Sequence, residues 1–231
     1  MNTDAYFTGC KTHFCQDYAL ATDNQLVISD GCSSAKYTDV GARLVCWSYY
    51  QVCNKPFGSF NLLFEIAARV EAQRLQLRLP KEAAFATLIG VDTTSNKVSV
   101  SMCGDGVVAY IVNGNLIIKS FTSPNNTPYY PAYMVDELIT DKWVRENGNI
   151  RINSMDFINN ELETSLANGT LSMLAIFSDG VSSIEGMSEI DVVVELCNFK
   201  TTNGSFVERR VKRFLKNKVF SDDISMAAVI F

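Results

Sequence analysis

Five apolar, strand-like runs in this chain each open or close on an aspartate beside a turn or a small residue. They read CQDYALA (Asp17), LVISDG (Asp30), VSMCGDG (Asp105), LAIFSDG (Asp179) and SDDISMAAVIF (Asp222). Strand ends are where a sheet gathers carboxylates from distant parts of a chain. Converging carboxylates without a cysteine–histidine partner set are ligand chemistry for hard divalent cations, Mg²⁺ or Mn²⁺. The aspartates therefore point to metal-dependent hydrolysis.

The rest of the pattern says how such ends could meet. Segments 16–22 and 25–29 are expected to pair as strands across the Thr22-Asp23-Asn24 turn. A small, polar stretch after Asp30 opens a helix running to about residue 54. A second helix is expected over 59–79, with Leu62, Leu63, Ile66, Val70 and Leu77 at helical spacing and Pro80 as its stop. Strands follow over 83–92, 97–103, 106–112 and 115–119, the last two joined by Asn113-Gly114, a strong hairpin signal. Residues 120–169, rich in Asn, Pro and Tyr, are expected to form a flap-like, partly irregular excursion with short helices. A strand over 171–177, a helix over 204–218 with Val207, Val211, Phe214 and Leu215 on one face, and a strand over 224–231 complete the chain. Short turns between strands imply mainly antiparallel sheets with the helices segregated outside them, an α+β architecture in one domain spanning 1–231.

Composition narrows the function. The 231 residues are 47% hydrophobic and 19% charged, enough for a sizeable core, and the net charge of −5 gives no pull toward nucleic acid or an anionic membrane. No apolar run approaches a membrane span, and the opening MNTDAYFTGC lacks a signal-peptide layout. Seven cysteines, an odd number with no CxxC pair, argue against a disulfide scaffold and a zinc site, and a cytoplasmic setting is the simplest.

Taken in order, the motifs resemble the metal-dependent protein phosphatases of the 2C type. The likeness is greatest to a bacterial branch opening on Gly-x-x-His…Cys-Gln-Asp, followed by an Asp-Gly-x-x-Ser-Ala block. Here these stand as Gly9 to Asp17, containing His13, and as Asp30-Gly31-Cys32-Ser33-Ser34-Ala35. Gly104-Asp105-Gly106 stands where the family usually has Gly-Asp-Ser, followed by Ser178-Asp179-Gly180 and Asp222-Asp223. The resemblance implies a four-layer αββα sandwich with two Mn²⁺ or Mg²⁺ ions at one edge. Asp30 would bridge them, with the Gly31 carbonyl completing one sphere, Asp179 and Asp222 holding the other metal, and Asp17 in an outer shell. Asp105 with Asp179 would form a third, weaker site. The implied activity is hydrolysis of phosphoserine or phosphothreonine in proteins by an activated water. Register favours Asp222 over Asp223 as the ligand.

Three departures matter. Many family members carry a histidine soon after the Asp-Gly block and an arginine upstream; here Cys32 follows Gly31 and no arginine occurs between residues 1 and 42. The single histidine, His13, is open to two readings, a phosphate contact or proton-transfer group and a structural support for the Asp17 strand. With the altered Gly-Asp-Gly block, these leave a catalytically impaired pseudophosphatase acting as a binding module as the alternative, beside a phosphatase for nucleotides or small metabolites. Lys11 and Lys36 read as exposed lysines before they read as phosphate ligands, and Cys32 as a small filler before a redox-sensitive thiol. Tyr129, Tyr130 and Tyr133 either shape substrate access or pack onto the sheet. The basic stretch from Glu208 to Lys218 reads as a solvated helix face, with docking of an acidic or phosphorylated partner as the second reading. Substrate identity and oligomeric state are left open.

Overall fold

Each strand of this protein has two apolar faces to cover, and burial follows the two-residue period of a strand. In β3 (Gln25–Ser29) Leu26 and Ile28 join one cluster and Val27 another. In β8 (Leu171–Phe177) Leu174 and Ile176 face one way, and Met173, Ala175 and Phe177 the other. Sheets covered on both faces need helices outside and each other inside. The computed structural model describes residues 1–10, 14–53, 62–94, 97–148 and 155–231, with the backbone alone at Asp156.

Two antiparallel sheets stack face to face. One has the order β1-β9-β8-β6-β7, built from β1 (Asn2–Thr8), β6 (Gly106–Val112), β7 (Asn115–Phe121), β8 and β9 (Ile224–Ile230). The other runs β2-β3-β4-β5, with β2 (Tyr18–Ala21), β4 (Leu88–Asp92) and β5 (Ser99–Cys103). Between them lies a core that includes Leu26, Ile28, Ile89, Val91, Met102, Val108, Leu174, Ile176 and Val229. Each such side chain is worth about 1.5–3 kcal/mol when fully buried.

Helices α1 (Thr38–Cys53) and α2 (Leu62–Gln76) cover the four-stranded sheet, and α5 (Glu189–Cys197) with α6 (Phe206–Leu215) cover the five-stranded one. This is the four-layer αββα sandwich expected. Tyr49 of α1 packs where Gly90 of β4 has no side chain; a Cβ there would stand 2.2 Å from the Tyr49 ring. No helix among the described residues is long and apolar enough to cross a membrane.

Several expectations are corrected in detail. The strand expected over 83–92 is shorter, because Lys81–Ala84 coil into a 3₁₀ turn that buries Ala83 and Ala84 against α1. Leu77 falls beyond the end of α2 and is 55% exposed, since the chain turns through Arg78 at a φ of 56° before Pro80. The beginning of the helix expected from 59 lies outside the described residues. The 120–169 excursion divides in two. Its first half, ending in α3 (Glu137–Asn147), buries Tyr129, Tyr130, Tyr133 and Trp143 on the α1–α2 side. Its second half, α4 (Asp156–Ala167), closes on the inter-sheet core through Ile158 and Leu162. The Asn113-Gly114 hairpin forms as expected, with φ of 52° and 77°.

Strand β1 had no counterpart among the expected elements. Its residues are at best half-buried, and it is an edge strand held by β9, with Asn2 opposite Ile230. It nevertheless completes α6. The Asp4 carboxylate accepts hydrogen bonds from Val207 N at 2.6 Å and Glu208 N at 3.3 Å, while Ser205 at the helix start offers no side-chain cap. Asp4→Ala leaves both N–H groups without that partner. The expected loss is about 1–2 kcal/mol of unfolding free energy, read from urea denaturation.

Candidate metal centre

One end of the sandwich collects the ends of strands from both sheets. Asp30 follows β3 and is held there by the segment leading into β4: its N–H donates to Thr87 Oγ1 at 3.0 Å and its carbonyl accepts from Thr87 N at 2.8 Å. Asp105 sits in the turn between β5 and β6. Both neighbours of Asp105 lie at positive φ, Gly104 at 105° and Gly106 at 138°. A Cβ on Gly106 would stand 2.6 Å from the Phe177 carbonyl oxygen. Asp179 follows β8, and Asp222 precedes β9. These two segments touch almost backbone to backbone, since a Cβ on Gly180 would fall 1.7 Å from the Asp223 carbonyl oxygen.

Asp30, Gly31, Asp105, Asp179 and Asp222 all line one cleft of about 200 Å³, whose far wall is Asn126, Pro128 and Tyr130 from the excursion. Among the described residues the cleft has no lysine, arginine or histidine in its lining. Asp17 is 1% exposed and lies behind Asp30 rather than in the wall. Its Oδ2 accepts from Ser178 Oγ at 2.8 Å, and that hydroxyl accepts from Ser225 N at 2.9 Å. Asp30 stands within hydrogen-bond reach of both Asp17 and Asp179.

Negative charge is crowded here without a cationic side chain among the described residues. Burial, with the like charges of Asp17 and Asp179, pushes the Asp30 carboxyl well above the usual carboxylate range. Burial likewise raises Asp17 and, with the charge of Asp222, Asp179. Asp105 is pushed up to about 6 by burial and by Asp179. Two buried carboxylate oxygens, Asp17 Oδ1 and Asp105 Oδ1, have no hydrogen-bond partner among the described residues. A divalent cation supplies the positive charge that these carboxylates lack, and oxygen-only donors suit hard cations, so the residues fit Mg²⁺ or Mn²⁺. Among the described residues no three acidic, cysteine or histidine side chains are gathered tightly enough to hold an ion as they stand. The carboxylates share a cleft without closing around a point.

Asp223 has a different task. It is 3% exposed, and its two oxygens accept from Cys10 N at 2.9 Å and Gln16 N at 2.6 Å. It thereby clips the segment between β1 and β2 onto the start of β9. Gln16 extends the brace, its Nε2 donating to Thr38 Oγ1 at 2.7 Å across the loop that follows Asp30. His13 and Lys11 lie outside the described residues.

A wider trough of about 750 Å³ adjoins the cleft, edged by Phe14, Lys36, Tyr37 and Arg43. Phe14 is 93% and Tyr37 55% exposed, and the Arg43 guanidinium stacks over the Tyr18 ring at 4.9 Å.

A family model described as protein phosphatase 2C matches residues 11–216. The chain belongs to that family of protein phosphatases. A comparison with curated protein sequences finds no match. Solved structures agree on the fold at low identity. The PPM Ser-Thr phosphatase MsPP from Mycobacterium smegmatis is 14% identical with a TM-score of 0.62, over 100% of this chain and 98% of that one. The catalytic domain of the serine/threonine phosphatase PstP, in complex with two manganese ions, is 15% identical with a TM-score of 0.58, over 98% and 96%. The serine/threonine phosphatase Stp1 from Staphylococcus aureus is 11% identical with a TM-score of 0.62, over 100% and 95%.

Seen as a protein phosphatase 2C chain, the Gly-Asp-Gly block is a local backbone solution: at φ 138° and against Phe177 there is no room for a serine side chain. Sequence reasoning missed Ser178 and Thr87, which position aspartates, and Arg43, one residue beyond the stretch in which an arginine was sought. Serine before Asp-Gly was visible in the sequence; the reach of Thr87 across 57 residues was not.

The two adjacent aspartates separate cleanly by experiment. Asp223→Ala should lower stability by about 3 kcal/mol, because two N–H groups lose a charged acceptor. Asp222→Ala removes only one acceptor, that of Asp223 N at 2.9 Å, so it should lower the stability of the metal-free protein by about 1 kcal/mol and abolish the rise in melting temperature produced by Mn²⁺. Calorimetry on both variants, with and without Mn²⁺, reads the difference.

Proposed function

We propose that this chain is a Mn²⁺- or Mg²⁺-dependent serine/threonine protein phosphatase working at a dinuclear site, and that residues 1–231 act as one such domain with the 120–169 excursion beside the cleft. One observation carries the reading. Four aspartates from four separate chain segments line a cleft that has no cationic side chain among the described residues. A carboxylate-walled cleft repels a phosphate dianion, so bound cations are obligatory for the family's chemistry here.

Asp30, the Gly31 carbonyl, Asp179 and Asp222 would hold the two ions; Asp17 would orient from behind, and Asp105 with Asp179 would serve a third. When bound, the pair supplies a water acidic enough to ionise near neutral pH and positive charge for the phosphoryl oxygens. The protein's part is positional. Thr87 fixes the Asp30 backbone, Ser178 orients Asp17, and the Asp223 clip holds the loop that carries both Gln16 and Asp17. The cleft accepts a group of phosphoryl size, and the adjoining trough, with Lys36 and Arg43, accepts the polypeptide on either side of it. Tyr130 shapes the opening while Tyr129 and Tyr133 pack beneath it. Seven free thiols agree with a reducing, cytoplasmic setting.

Turnover of an aryl phosphate and of phosphoserine peptides should require Mn²⁺ or Mg²⁺ and stop on chelation. Asp30→Ala and Asp179→Ala should each lose far more than the roughly 10–100-fold expected when an outer partner such as Ser178 is changed to Ala. Near-normal activity in either aspartate variant contradicts the assignment. For the leaving-group proton, His13→Gln decides between the imidazole and a water: a fall of about 10²-fold in kcat identifies the imidazole, and an unchanged kcat the water.

The second reading, a regulatory module on the same fold, draws on the aspartates not being gathered into a ready ligand trio among the described residues. Isothermal titration with Mn²⁺ separates the two. Two bound ions with turnover support the enzyme; fewer ions, or ions without turnover, support the module.

A further inference from the structure

The concentration of positive charge on this acidic protein lies away from the aspartate cleft. Between the end of α5 and the face of α6 is a recess of about 240 Å³, lined by Lys200, Arg209, Arg210 and Arg213 around Phe199 and Phe206. Among the described residues no carboxylate is in its lining, although the chain as a whole carries a net charge of −5. Cations spread along a helix are ordinarily a solvated face. Here three come from α6 and Lys200 from the loop after α5, and they border a concavity with an aromatic floor, the two rings packed edge to face at 4.9 Å.

The four cations are not equivalent. Arg210 is anchored, with Nε donating to the Glu195 carbonyl at 2.7 Å and Nη2 to its carboxylate at 2.8 Å. Arg209 grips the loop before α6, with Nη2 on the Asn203 carbonyl at 2.5 Å and on Thr201 Oγ1 at 3.4 Å. Both guanidinium groups are thus held in place with N–H groups to spare, which lowers the entropy cost of binding a ligand. Lys200 and Arg213 are exposed and have no hydrogen-bond or ion-pair partner among the described residues. Glu195 offsets one of the four charges, leaving three for a ligand.

We propose that this recess is a docking site for a phosphorylated serine or threonine in a segment of a protein partner. Arginine forks match phosphate oxygens in pairs, and a dianion is the ligand that several fixed cations favour most over a single carboxylate. The volume sets the size. At about 240 Å³ it has room for one phosphorylated side chain. The aromatic floor meets the Cβ methylene of phosphoserine or the Cβ and methyl group of phosphothreonine. The site shares no residue with the aspartate cleft, so occupancy does not require hydrolysis and can be tested apart from it.

The test uses the full chain carrying Asp30→Ala in chelator, so that no peptide is hydrolysed. A fluorescein-labelled alanine–glycine peptide with one central phosphoserine is titrated by fluorescence anisotropy, beside the same peptide with serine and with glutamate. The phosphopeptide should bind at least tenfold more tightly than either. The double variant Lys200→Ala/Arg213→Ala should lose at least tenfold in affinity while keeping the parent melting temperature, since both side chains are exposed and neither has a hydrogen-bond or ion-pair partner among the described residues. Charge reversal at the same two positions should abolish binding. The proposal is overturned if the three peptides bind alike, if the double variant retains its affinity, or if inorganic phosphate competes with a dissociation constant equal to that of the phosphopeptide. The last result would make free phosphate the ligand. Metal binding at the aspartates, measured separately, has no bearing on the outcome.

Discussion

The stacking of two antiparallel sheets is the constraint on which everything else in this protein depends. Leu26, Ile28, Ile89, Leu174, Ile176 and Val229 lock the sheets face to face, so β3, the β5–β6 turn, β8 and β9 bring one end of each to the same edge of the sandwich. The acidic cleft is a by-product of that registry, because no two of its four wall aspartates belong to the same strand-end segment. Hydrophobic burial thus holds together groups that repel one another. The raised carboxyl groups, and the two oxygens left without a partner among the described residues, are where that opposition shows.

Adjacent residues divide the work at the start of β9. Asp223 turns inward and spends its charge on the N–H groups of Cys10 and Gln16, while Asp222 turns to the cleft. Asp222 accepts one backbone N–H, that of Asp223 at 2.9 Å on Oδ1, where Asp223 accepts two from a distant segment. The same economy operates at Ser178, whose hydroxyl accepts from β9 and donates to Asp17, joining two segments through one atom.

Alternating or continuous apolar runs bounded by turn residues made most of the sandwich legible in advance, and β3, β6 and β8 have the expected limits. The signal failed where an element is held by something other than its own pattern. Strand β1 has few large apolar residues and exists because β9 presents an edge to it. Ala83 and Ala84 read as the opening of the strand over 83–92, but α1 approaches so closely that a Cβ on Gly41 would fall 1.9 Å from the Ala83 carbonyl oxygen, and Lys81–Ala84 coil instead. The aspartates were legible because each follows or precedes its own strand. Their supporters were not, because Thr87, Gln16 and Arg43 reach the site through contacts that no local spacing encodes.

The pairing of β1 with β9 sets Asn2 opposite Ile230, and β9 is also the strand that brings Asp222 and Asp223 into place. Contacts so distant along the chain close late, because the entropy of a large loop is lost before any contact repays it. During synthesis the four-stranded sheet with α1 and α2 can form while the partner sheet still lacks both its outer neighbour and its final strand. The acidic cleft is therefore among the last features to assemble. A nascent chain exposes Asp17 and Asp30 to water long before it can concentrate them.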